Sequence, residues 1–194
     1  MDYGITRFVI TDTTTGRGGW RFEESRKRHK PASELYRQIF IDKGMPLLPG
    51  EAEVRCTKDE FFAGYDYQLG IDAVLTLHSR QEVTLQEKFL LTTFNTVTVE
   101  HWQDWRTQEP GDWYKMRCQL YFVGYDAKGL LRFDPWVMLW WPQVLQATAT
   151  SKIEWQERPN KEDGAKSSFR FRSIYDWPSE CILASSFALQ IPMF

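Results

Sequence analysis

Two short segments separated by a polar loop constrain this chain more than any other feature: GIDAVLTL at 70–77 and EVTLQEKFLL at 82–91. Both alternate as half-buried strands do, and the loop is short enough for a hairpin. In an antiparallel pair, directly opposed residues share a face, and a one-residue slip sends every side chain to the other side. Ile71, Ala73, Leu75 and Leu77 form one apolar set, and Val83, Leu85 and Phe89 another. The sets meet if Leu77 opposes Val83, Leu75 opposes Leu85 and Ile71 opposes Phe89. That register places Asp72 opposite Lys88 and Gln86 opposite Val74, all on the other face. It leaves Glu87 among apolar neighbours, in need of a partner or a strand end. The slipped register would set Asp72 beside Glu87 and break the apolar match.

An exposed cross-strand pair of Asp72 and Lys88 would contribute only ~0–1 kcal/mol. Asp is depleted in strand interiors, however, and this one is flanked by Ile71 and Ala73-Val74-Leu75. Lys88 is likewise followed by Phe89-Leu90-Leu91. Charged groups in such runs are costly to bury unless they have a task.

Elsewhere, Thr6 to Ile10 reads as a short strand, followed by a Thr/Gly-rich loop. A helix is expected from Pro31, which suits a first turn, to about residue 42, with Leu35, Ile39 and Phe40 on one face and Gly44 and Pro46 ending it. Further strands are expected at Glu53 to Cys56, at Asn95 to Trp102, and on both sides of the DAKG turn at 126–129. Pro142 to Ala149 reads as a short helix, KIEWQERP and SSFRFRSI as a hairpin, and WPSECILASSF as a closing helix. The expected product is one strand-rich α+β domain spanning 1–194.

Several classes of function are disfavoured. Cys56, Cys118 and Cys181 are odd in number and lack metal-ligand spacing, which argues against a zinc site or a disulfide framework and fits a reducing cytoplasm. No basic segment followed by a long apolar run opens the chain, so no signal peptide is expected. The most apolar stretch, Trp136 to Trp141, is six residues long, too short to span a bilayer, and reads as core. His29, His78 and His101 lie near no G-x-S-x-G or comparable nucleophile pattern, and His78 and His101 read as satisfied surface histidines. Thr-Gly-Arg-Gly-Gly at 15–19 lacks the Lys-Ser/Thr ending of a phosphate-binding loop and reads as a flexible turn. A net charge of −2 does not advertise nucleic acid. The run Arg26-Lys27-Arg28-His29-Lys30 is either a solvated segment or a phosphate contact. With 9 Trp, 8 Tyr and 13 Phe the chain is rich in aromatics, mostly core, with Trp102, Trp105 and Trp113 best placed to meet a substrate.

An Asp on one strand, a short hairpin and Gln/Glu-x-Lys on the next resembles the PD-(D/E)xK nuclease superfamily. The matching residues are Gly70-Ile71-Asp72-Ala73-Val74 and Leu85-Gln86-Glu87-Lys88-Phe89, within a similar order of elements over about residues 31–125. The resemblance implies a restriction-endonuclease-like core: a mixed, largely antiparallel central sheet flanked by helices. It implies Asp72 as a metal-binding carboxylate and Lys88 as the residue that orients or activates the attacking water. Gln86 stands where the family carries a second acid, and Glu87 would serve instead if the strand is bulged. Glu34 matches a supporting carboxylate on the first helix, and Glu100 is a weaker match. Mg²⁺ or Mn²⁺ is the implied cofactor, with so few carboxylates that one well-held metal is expected rather than two. Nucleic acid is the implied partner, DNA ahead of RNA, with no membrane. The competing readings are a catalytically silent nucleic-acid-binding module of the same fold and a protein–protein interaction domain built as an unrelated sandwich.

Overall fold

Apolar side chains lie on both faces of the central strands, so the sheet needs a cover on each side. A computed structural model describes residues 22–48, 55–56, 69–91, 94–126, 129–160 and 165–187. The expected strand at 6–10, the Gly-rich turn at 15–19 and the start of the strand expected at 53–56 lie outside the described residues. Helix α1 (Phe22–Asp42) is followed by β1 (Arg55–Cys56), β2 (Ala73–Thr76), β3 (Glu82–Leu90), β4 (Thr96–Asp104) and β5 (Glu109–Pro110). Then come the short α2 (Asp112–Lys115), β6 (Leu120–Tyr125), β7 (Trp136–Trp140) and α3 (Trp141–Ala149). The last elements are β8 (Gln156–Pro159), β9 (Ser168–Ser173), a single 3-10 turn (Ser179–Cys181) and β10 (Ile182–Ser185).

The architecture is α+β, with two sheets. One has six strands in the order β1-β2-β3-β6-β7-β10, antiparallel except where β6 runs parallel to β3. The other has four antiparallel strands, β5-β4-β9-β8. One face of the larger sheet presents Ala73, Leu75, Val83, Leu85, Phe89 and Phe122 to Ala32, Tyr36, Ile39 and Phe40 of α1. The opposite face presents Tyr121, Val123, Val137 and Leu139 to Val97 and Val99 of β4 and to Trp141 and Val144 of α3. The Trp136 to Trp141 run is core as expected, with Val137 to Leu139 and Trp141 buried. Among the described residues no helix is long and apolar enough to cross a membrane.

Three expectations are corrected. Helix α1 begins nine residues before Pro31 and carries it internally. Its N-terminal half gains an anchor that periodicity does not reveal, a buried ion pair from Arg28 Nε to Asp126 Oδ2 at 2.9 Å. Tertiary anchoring of this kind outweighs the hydrogen bond that an internal proline removes. The helix ends as expected at Gly44 (φ +69°), where Gly44 N–H donates to Ile41 and Met45 N–H to Phe40. Second, the closing segment forms only one helical turn. Its ILAS residues are strand β10, because the exposed edge of β7 offers them backbone partners. The third correction concerns the hairpin. Ala73 opposes Leu85, Val74 opposes Thr84 and Leu75 opposes Val83, two residues from the expected register.

A candidate metal and phosphodiester site on β3

Strand β3 is pleated between two layers, so its neighbouring polar side chains have unlike surroundings. Val83, Leu85 and Phe89 point into the α1 layer, and Glu87 shares their parity. The Tyr36 hydroxyl donates to Glu87 Oε1 at 2.7 Å and supplies the partner that this carboxylate needs. Burial, then the charges of Glu87 and Asp72, hold the Tyr36 phenol well above its ordinary value, so it remains a donor at any ordinary pH. Glu87 is thus tied to the helix.

Gln86 and Lys88 alternate to the other face, where they pair along the parallel ladder with Tyr121 and Val123. The Gln86 side-chain oxygen is buried and has no hydrogen-bond partner in the structure. An unmatched buried acceptor costs about 1–3 kcal/mol, so its presence calls for a reason. Lys88 reaches across to the smaller sheet, where its Nζ lies 5.8 Å from the centre of the Phe169 ring.

Asp72 sits just before β2, where the alternation breaks. Ile71 joins the cluster beneath β4, whereas Ala73 joins the α1 layer, so Ile71 does not share a face with Ala73, Leu75 and Leu77. The break follows Gly70, whose φ of +55° suits glycine and whose place a Cβ would dispute with Met116 Cγ at 2.9 Å. Asp72 N–H donates to the Leu85 carbonyl at 2.9 Å, and Asp72 Oδ2 accepts the Glu87 N–H at 2.8 Å. One carboxylate oxygen is therefore fixed on the backbone of the residue between Gln86 and Lys88. Burial, then the nearby Asp72 charge, pushes the Cys118 thiol far above its ordinary value.

With Ala73 opposite Leu85, Asp72 stands at the level of Gln86 and not of Lys88. The register therefore sets the Asp72 backbone beside Gln86, two residues from Lys88 along β3, with Glu87 turned to Tyr36. Glu34 does not join them. It is exposed, two positions from Tyr36 and so about 200° around the helix from the apolar stripe. Tyr36, which sequence reasoning did not single out, is the α1 residue whose hydroxyl donates to Glu87 of β3. Its only signal was a hydroxyl in the spacing of Ala32, Ile39 and Phe40. Glu100 on β4 is half-buried, and burial, then Asp112, raises its carboxyl above the ordinary value while Lys88 and Lys115 oppose the shift. Among the described residues, no group of three or more His, Cys, Asp or Glu side chains is arranged to hold a metal.

The aromatic and histidine expectations divide. His78 is exposed, as expected. His101 is satisfied but not on the surface: it is 5% exposed, with Nδ1 2.5 Å from Glu157 Oε1 and Nε2 2.8 Å from the Tyr114 hydroxyl. Burial works to raise the Glu157 carboxyl, but hydrogen bonds from His101 and Ser168 overcome it and leave the group below its ordinary value. A register shift between Glu100 and Trp102 marks a bulge, which sets Trp102 beside His101 with ring centres 4.6 Å apart. Trp113 packs edge-on against Trp141 and Trp155, so it is partly core, and Trp105 is 49% exposed. In the basic run, Arg28 is spent on Asp126, while Lys27 and Lys30 are exposed.

No protein-family model, curated protein or solved structure matches this chain.

Proposed function

We propose that this chain is a metal-dependent nuclease of the restriction-endonuclease-like kind, hydrolysing phosphodiester bonds in DNA, with RNA the less favoured substrate. The observation that carries the reading is the buried, unpartnered Gln86 oxygen one residue from the backbone amide that holds the Asp72 carboxylate. Such an oxygen fits a hard cation, which prefers oxygen ligands and retains several waters. Asp72 and Gln86 are the residues that would hold Mg²⁺ or Mn²⁺. Glu87, the other candidate ligand, has its place with Tyr36. A bound cation would supply charge neutralisation at the phosphate oxygens and a more acidic water.

The chain's own residues contribute the rest. The Glu87 N–H orients the Asp72 carboxylate, and Lys88 adds fixed positive charge on the side where phosphate charge develops. The order of elements supports the same reading: α1, antiparallel β1-β2-β3, then β6 beside β3. Between β3 and β6 the chain carries β4, β5 and the short α2. The cover of α1 on the sheet speaks against the unrelated sandwich. The buried free thiols of Cys118 and Cys181 fit a cytoplasmic location.

A catalytically silent binding module of the same fold is the second reading, favoured by an amide at position 86 in place of an acid. Incubating the protein with linear, branched and single-stranded DNA in Mg²⁺ or Mn²⁺, beside Asp72→Ala and Lys88→Ala, separates the two. Cutting that needs metal and disappears in both variants is the expected result. Binding without cutting selects the silent module, and neither binding nor cutting overturns both.

A further inference from the structure

The smaller sheet has a face that the nuclease reading does not use. Directly opposed residues share a face, so Thr98 and Glu100 of β4, Phe169 and Phe171 of β9, and Gln156 and Arg158 of β8 lie together. Val97 and Val99, on the other side of β4, are the residues that bury this sheet against the larger one. Phe169 and Phe171 belong to neither buried cluster and are partly exposed. Two same-face positions on a strand stand about 7 Å apart. Each ring also carries a cation: Lys88 Nζ lies 5.8 Å from the centre of Phe169, and the Arg158 guanidinium lies 4.6 Å from that of Phe171.

An isolated cation–π contact is an ordinary surface device. Here two rings and two cations meet on one face, and one of the cations comes from the other sheet. Arg158 is exposed, so its guanidinium meets solvent beside the Phe171 ring on which it packs. The carboxylate of this group, Glu100, is half-buried and has the charge of Lys88 acting on it.

We propose that this face binds single-stranded nucleic acid, with bases stacked on Phe169 and Phe171 and backbone phosphates on Arg158 and Lys88. Rings about 7 Å apart accept splayed bases of an unpaired strand, whereas a duplex keeps its base faces inside its own stack. The combination of aromatic rings and flanking cations is the chemistry such strands select. Because Lys88 belongs to both regions, a strand held here passes beside Asp72 and Gln86. That delivery rests on the nuclease reading, but the binding does not.

Fluorescence anisotropy of a labelled twelve-nucleotide oligothymidine, measured in EDTA, isolates binding from cleavage. The wild type should bind it, and more tightly than the matching duplex. Phe171→Ala should weaken binding roughly 10-fold. Arg158→Ala should weaken it less and flatten the dependence of log affinity on log salt by about 0.7. Phe171→Trp should restore binding, which separates stacking from misfolding, and its fluorescence should be quenched by the oligonucleotide. Failure of the folded wild type to bind, tighter binding of duplex, or unchanged affinity in Phe171→Ala and Arg158→Ala would each overturn the proposal; a face that met protein instead would give the first. Metal-dependent cutting with no effect of these variants removes this proposal alone. Binding here without cutting in Mg²⁺ removes the nuclease reading alone.

Discussion

The two faces of β3 treat their polar groups in opposite ways. On the α1 side, Glu87 receives the Tyr36 hydroxyl, and Asp126 receives Arg28, so polar contacts join helix and sheet inside an apolar layer. On the β4 side, one residue away, Gln86 keeps a buried oxygen without a partner, and Lys88 extends to the other sheet. Polar groups buried for stability are matched, because an unmatched one costs free energy without return. The difference is one of satisfaction: the α1 side matches its polar groups, whereas Gln86 Oε1, like Asn95 Oδ1, Trp141 Nε1 and Trp177 Nε1 among the described residues, is buried without a partner.

The α1 side should show it most strongly. Arg28→Ala leaves the Asp126 carboxylate, 0% exposed, without its cation, and removal of one partner from a buried pair costs about 3–5 kcal/mol. Urea denaturation followed by circular dichroism measures this. A loss below about 1 kcal/mol would place the pair in the class of surface bridges and break the contrast.

Tyr36→Phe is milder. It removes one donor from Glu87 without opening a cavity, at a cost of about 1–3 kcal/mol, and should leave metal-dependent cleavage by the folded protein in place. Cleavage lost in proportion to Asp72→Ala would instead make Tyr36 and Glu87 part of the site. Gln86→Leu should act in the opposite sense: stability unchanged or raised by about 1 kcal/mol, since an unmatched acceptor is removed, and metal binding lost. Isothermal titration with Mn²⁺ alongside the melt tests both halves. A destabilised variant that still binds metal would make Gln86 an ordinary structural residue.

Alternation made one part of this contrast legible in the sequence and hid another. Parity alone separates Glu87 from Gln86 and Lys88, and it shows that Glu87 needs a partner. It does not fix register, because a shift of two residues preserves every face. The turn decides that. Leu77 N–H bonds Gln81 and Arg80 N–H bonds Leu77, with Arg80 at φ +67°, which closes the hairpin two residues tighter than the apolar match suggests. Leu77 is drawn instead to a bridge with Leu47. Tyr36 was not legible as the partner, since 51 residues separate it from Glu87 and a tyrosine in an apolar stripe reads as core. The ILAS strand was hidden for a similar reason: it forms on an edge supplied by β7, and four residues carry too little pattern to reveal that.

The smallest effect concerns Glu100, and its sign tests whether this carboxylate belongs with the matched or the unmatched groups. Burial, then Asp112, raises the Glu100 carboxyl above its ordinary value of 4.5, although Lys88 and Lys115 pull the other way. When an acid has a higher pKa folded than unfolded, the native state binds more protons in the interval between the two values. Stability therefore falls as pH rises through that interval and stays lower above it. Glu100→Gln removes the titration. The stability of the variant relative to wild type should rise with pH from about 4.5 upwards and then level off, as read by urea denaturation at a series of pH values. A difference running the other way would mean that Lys88 more than compensates the burial, making Glu100 and Lys88 a stabilising ion pair between the sheets. Lys88 would then be held for the fold, and the β4 side would lose the cation on which its functional reading depends.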